Sequence, residues 1–158
     1  RSDYFDDPAD LARLTAVSRG MRDTVAGTGL RFEELDEMCA VKLGCLSAVQ
    51  RLQRGGRLSC QELLCQAAAR SGQLEELKVL RENSCPWDEH TCSRAALSGH
   101  LEVLQWARAN GCPWDSETCH NAAFGGHLEV LQWARANGCP WNSGTCMAAA
   151  ESGHLEVL

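Results

Sequence analysis

Apolar and polar positions recur along this chain with a period of 27 residues. Residues 99–114 read GHLEVLQWARANGCPW, and residues 126–141 repeat that string without a change. Residues 153–158 (GHLEVL) open another copy, and residues 72–87 (GQLEELKVLRENSCPW) are a looser one. A degenerate copy begins at Gly44, one residue longer. Within a unit, Leu128, Leu131 and Ala134 fall three apart with Val130 and Trp133 beside them, which predicts an amphipathic helix over 128–136. Asn137-Gly138 ends it, and Cys139-Pro140-Trp141 cannot continue it. Before it, Thr118 reads as an N-cap for a short helix over 119–124, closed by Gly125-Gly126. No alternating, β-branched strand pattern occurs. A two-helix unit of this size cannot bury its own apolar face, so the units must stack.

Composition narrows the classes. The 158 residues are 44% hydrophobic and 23% charged, ordinary for a folded chain. That length suits one domain or an elongated array. Net charge is −6 with no basic run, which argues against a nucleic-acid partner. Charges interrupt every apolar stretch well short of the roughly 20 residues of a membrane span. The start at Arg1 and the copy cut short at 153–158 read as marks of a piece of a longer chain, so the lack of a visible targeting signal carries little weight.

The unit resembles an ankyrin repeat. Ala122, Ala123, Gly126, His127, Leu128, Glu129, Val130 and Leu131 match that family's pattern in register, and Gly138, Cys139, Trp141 and Asn142 follow as its closing segment. Thr118 and Cys119 stand at the family's Pro and Leu positions. The family's first-helix His is matched by His120, but by Ser93 and Met147 in the neighbouring units. The resemblance covers 44–158, divided as 44–71, 72–98, 99–125, 126–152 and the truncated 153–158. It implies an all-α fold, an ankyrin-like α-solenoid of stacked helix–turn–helix repeats, with residues 1–43 as an N-terminal helical cap. Ankyrin repeats usually run about 33 residues. The shortfall falls where the projecting hairpin is built, which implies a tight loop instead.

Residues 5–25 resemble the second half of an F-box through Asp7, Pro8, Asp10, Leu11, Leu14, Val17, Ser18, Arg19, Arg22 and Asp23. That likeness implies docking to the Skp-type adaptor of a cullin–RING ubiquitin ligase through Leu11, Leu14 and Val17. The alternative is an amphipathic helix that only seals the first unit.

Ten cysteines are present. Cys85, Cys112 and Cys139 form one column, and Cys65, Cys92, Cys119 and Cys146 another. Column members sit one packing step apart, about 8–10 Å. A disulfide needs Cα atoms within about 7 Å, and a zinc site needs about four ligands together. Small buried apolar residues are the expectation. An in-unit pair such as Cys112 with Cys119 is the one disulfide to test, and a redox or metal-responsive protein is the outlying alternative. Trp87, Trp106, Trp114, Trp133 and Trp141 repeat with the core and read as core. His100, His127 and His154 read as structural groups, since the acidic residues two positions later, Glu102, Glu129 and Glu156, do not share their helix face. The acidic clusters at Asp3–Asp10 and Glu33–Glu37 read as solvated faces.

Columns that differ between otherwise identical units are free of the packing constraint. These are Glu89/Ser116/Ser143, His90/Glu117/Gly144, Ser93/His120/Met147, Arg94/Asn121/Ala148 and Leu97/Phe124/Glu151. The resemblance places them on a concave face. From them, the expected partner-binding residues are His90, Ser93, Arg94, Leu97, Glu117, His120, Asn121, Phe124, Met147, Ala148 and Glu151. The expectation is a protein-binding module without catalytic residues, metal or cofactor, taking protein partners rather than nucleic acid, membrane or a small-molecule substrate. Reduced thiols point to the cytoplasm or nucleus.

Overall fold

The structure, a computed structural model, describes residues 36–154. Within them lie α1 (Glu37–Leu43), α2 (Leu46–Arg54), α3 (Glu62–Arg70), α4 (Leu74–Glu82), α5 (Glu89–Leu97), α6 (Leu101–Ala109), α7 (Ser116–Phe124), α8 (Leu128–Ala136) and α9 (Ser143–Glu151). No strand interrupts them among the described residues. Helices of nine residues are too short to be stable alone in water, so tertiary packing must hold them.

The packing has two directions. Each odd-numbered helix pairs with the even-numbered helix that follows it: α1 with α2, α3 with α4, α5 with α6, α7 with α8. The odd-numbered helices then stack in one row, α1 on α3, α3 on α5, α5 on α7 and α7 on α9. This is a helical ankyrin-like repeat solenoid. The row begins with α1, inside the stretch that sequence alone assigns to the N-terminal segment. Its seven residues, EMCAVKL, share too little with the other units to be found by copy matching.

Small residues make the row possible. Ala67, Ala68, Ala95, Ala96, Ala122, Ala123 and Ala149 are fully buried, so neighbouring odd-numbered helices approach closely. Leu77, Leu104 and Leu131, at equivalent places in α4, α6 and α8, fill the space behind them.

Helices α5 and α7 are capped by aspartate rather than threonine. Asp88 accepts the Thr91 amide at the N-cap of α5, and Asp115 accepts the Glu117 amide at that of α7. Thr118, expected as the cap, lies buried inside α7. Asp and Thr are both good caps; the fold selects Asp because the chain leaves the preceding Trp in extended conformation there. Asp88 also accepts two hydrogen bonds from the buried Gln66 amide of α3, at 3.1 and 2.9 Å. Asp88→Ala therefore removes a cap, about 1 kcal/mol, and strands a buried amide for roughly 1 kcal/mol more. Asp115→Ala removes only a cap. Urea midpoints should show Asp88→Ala as the more damaging of the two; equal losses would mean Gln66 contributes nothing.

Loops replace the missing hairpins. Trp87 meets Trp106 of the next unit edge-on at 5.9 Å between centroids, and Trp114 meets Trp133 at 5.8 Å. Arg81, Arg108 and Arg135 lie over Trp87, Trp114 and Trp141 at 4.1, 4.1 and 4.3 Å. Arg81 and Arg108 also donate to the carbonyls of Cys85 and Cys112. Trp87, Trp106, Trp114 and Trp133 are thus a ladder joining units, half-buried rather than wholly core, and Trp141, expected in the core, is exposed; cation–π contacts hold each loop. A cleft of about 290 Å³ opens along this ladder, lined by Gln105, Arg108, Ala109, Trp114, Trp133 and Asn137.

Candidate functional site

The variable columns fall on the odd-numbered helices, whose outward side forms a continuous face because these helices stack directly. Glu117, Phe124, Met147 and Glu151 are exposed on it, and Arg94, Leu97, His120 and Asn121 are half-buried. Phe124 and Met147 stand out chemically: apolar side chains 51% and 59% exposed, on the adjacent helices α7 and α9. His90 and Glu117, from one column of neighbouring units, face each other with Nδ1 3.8 Å from Oε2.

Two expected residues do not reach this face. Ser93 is 2% exposed, its hydroxyl turned back to the His90 carbonyl at 3.1 Å. Ala148 is 1% exposed, packed in the core beside Ala149. Both vary between units for a packing reason: a small side chain suffices there. Leu11, Leu14 and Val17 lie outside the described residues.

One member of the face escaped the sequence reading. Arg70, the last residue of α3, stands one unit before Leu97 in the same column, and it is half-buried. Extending each column one unit toward the N-terminus would have found it. At that unit the same columns hold Glu62, which is half-buried, and Leu63, Gln66 and Ala67, which are buried.

The cysteines pair differently from the expectation. Interacting thiols are 20 residues apart: Cys65 with Cys85, Cys92 with Cys112 and Cys119 with Cys139. Each joins a first helix to the loop that closes the same helix pair. Cys112 therefore turns to Cys92, not to Cys119. In each pair the partner thiol, and then burial, push one sulfur far up, at Cys65, Cys112 and Cys139. A buried group held as a thiol is a poor nucleophile. The second cysteine of each pair has a further role that an Ala could not fill. Cys85, Cys112 and Cys139 donate to the carbonyls of Gln61, Asp88 and Asp115, at 3.4, 3.4 and 3.3 Å. Those carbonyls belong to the N-cap residues of α3, α5 and α7. The thiols thus satisfy partly buried backbone acceptors at the starts of α3, α5 and α7.

The histidine column is structural in the same way. His127 Nε2 lies 3.2 Å from the Leu97 carbonyl of the preceding helix pair, so that nitrogen carries the proton. Among the described residues no group of three or more His, Cys, Asp and Glu is placed to hold a metal ion. No helix among them is long and apolar enough to cross a membrane. The arrangement offers a surface for contact, with a mixed apolar and polar set held on rigid helices.

No curated protein matches the chain. The family model of ankyrin repeats in many copies matches residues 92–135, from the buried Cys92 of α5 through Arg135 of α8, so this stretch is identified as ankyrin repeat.

Proposed function

We propose that the chain is a protein-binding module that holds its partner on the outward face of the odd-numbered helices, and that it is not an enzyme. The observation that carries this reading is the exposure of Phe124 and Met147 on the adjacent helices α7 and α9, in columns that vary between units. Large apolar side chains amid half-buried polar ones are the usual make-up of a binding hot spot. Rigid display on stacked helices limits the ordering entropy that binding must overcome. The ankyrin match at 92–135 supports a protein partner.

The test is a comparison of wild type with Phe124→Glu and Met147→Glu together, by affinity capture from a cell extract under reducing conditions. Neither side chain is in the core, so circular dichroism should be unchanged. Proteins retained by wild type should fall at least about tenfold with the double variant, since a hot-spot residue is typically worth 2 kcal/mol or more. Equal retention by both forms would show that the partner sits elsewhere.

A narrower reading makes the chain a substrate receptor of a cullin–RING ubiquitin ligase, with the repeats selecting the substrate. It is supported by the sequence likeness over residues 5–25. Co-purification of a Skp-type adaptor and a cullin, lost on Leu11→Asp with Leu14→Asp, is its expected result. Capture of other partners without an adaptor would leave a plain scaffold.

A further inference from the structure

Two cations on the partner-binding face have no counter-ion among the described residues. Arg70 ends α3 and Arg94 lies in α5, the next helix of the row. The Nη1 of Arg70 and the Nε of Arg94 are shielded from water and meet no hydrogen-bond acceptor among the described residues. Neither guanidinium pairs with a carboxylate among those residues. The two also repel each other: burial, and then the charge of Arg94, depress the pKa of Arg70.

Contacts among the described residues do not account for this pair. A guanidinium nitrogen shielded without a partner loses hydration and gains nothing in return. Buried polar groups in folded proteins are otherwise nearly always satisfied. Here two such groups adjoin at one junction, on the face already read as the binding surface. Their surroundings hold them there. A Cβ added at Gly44 would lie 3.3 Å from Cγ of Arg70, so the arginine stem runs over the bare turn between α1 and α2. Arg94 is one helical turn from Leu97 on the same side of α5, and Phe124 follows Leu97 in its column. A carboxylate bound between the arginines would therefore place a neighbouring side chain of the same ligand against Leu97 and Phe124.

We propose that Arg70 and Arg94 form a carboxylate-binding site at the α3–α5 junction, which takes an Asp or Glu side chain from an extended acidic and apolar segment of the protein partner. This rests on the binding-face reading above and names the chemistry of what that face selects. A carboxylate matches the guanidinium fork in geometry and charge, and charge-assisted hydrogen bonds are the strong ones. The whole chain carries a net charge of −6, so overall attraction does not draw an acidic ligand in. Its affinity must come from this local pair.

The probe is the peptide Ac-Glu-Leu-Glu-Phe-NH2, compared with its Gln-for-Glu counterpart and with inorganic phosphate, on the full 158-residue chain. Arginine Nε–Hε resonances report directly on the two side chains. The Glu peptide should shift both signals, and the Gln peptide should bind at least about tenfold more weakly, as expected for a charge-assisted contact. Arg94→Gln should remove the difference between the peptides. Equal binding of the two peptides would overturn the carboxylate site while leaving the apolar face in place. No shift with either peptide would also overturn it, and partner capture with the Phe124 and Met147 variants would still judge the face separately. A shift with phosphate but not with the Glu peptide would overturn it in favour of a phosphorylated ligand. A second measurement guards against misfolding. Arg70→Met keeps the stem and removes an unpaired charge, so its urea midpoint should stay level or rise. A clear fall would mean that Arg70 has a partner inside the chain, and would sink the proposal.

Discussion

Leu104→Ala is expected to remove roughly 2–5 kcal/mol of stability, the range for a fully buried leucine that leaves a cavity. Leu104 is wholly enclosed in α6, with described units on both sides. Net stabilities of natural domains are only about 5–15 kcal/mol. In a stacked array each unit is held by its neighbours, so damage in a middle unit also weakens the contacts on either side. The internal control is unusually close: α6 and α8 have the same nine residues, LEVLQWARA, and Leu131 stands in α8 where Leu104 stands in α6. Intrinsic helix propensity is thus identical, and any difference between Leu104→Ala and Leu131→Ala comes from position in the array. Urea unfolding followed by circular dichroism should show a lower midpoint for both, and a broader or two-step transition for Leu104→Ala, because the array is cut between its halves. Losses below about 1 kcal/mol for both would mean that these leucines are not the core that their burial indicates.

The contrast between α8 and its partner α7 shows what this sequence makes legible. The helix over 128–136 is read correctly to the residue, because an apolar stripe, an Asn-Gly end and a following Pro all agree. The start of α7 is misread because Asp115 and Thr118 are both acceptable caps, and local chemistry does not choose between them. What decides is the direction in which the chain leaves the Trp114 loop, a property of packing between units. The cysteine pairs are hidden for a similar reason. Cys92 and Cys112 meet only because α5 and the loop after α6 fold onto each other, and a spacing of 20 signals nothing in a pattern of period 27. Comparing columns found most of the outward face of the odd-numbered helices, yet it also drew in Ser93 and Ala148. Variation between copies marks freedom from one particular side chain, and that freedom exists at a crowded helix contact as well as in solvent.

Gly99→Ala is the second large expected effect, and it tests the joint between units directly. Gly99 has φ +76, in the left-handed region, where an L side chain costs about 1–2 kcal/mol. It also has no room: a Cβ there would sit 2.6 Å from Nδ1 of His127, whose ring bridges from the next unit. Gly111 separates these two causes. Its φ is +84, but a Cβ there meets nothing within 4 Å. Gly111→Ala should therefore cost only the backbone penalty, about 1–2 kcal/mol. Gly99→Ala should cost that and roughly 1–3 kcal/mol more, the usual range for overpacking. The double variant Gly99→Ala, His127→Ala completes a cycle. Removing the ring takes away the clash but also the hydrogen bond from Nε2 to the Leu97 carbonyl, so the double variant should lose clearly less than the sum of the two single losses. Strict additivity in urea would mean that His127 does not press on Gly99. The glycine would then be required for its backbone conformation alone, and the histidine column would act only through its hydrogen bond.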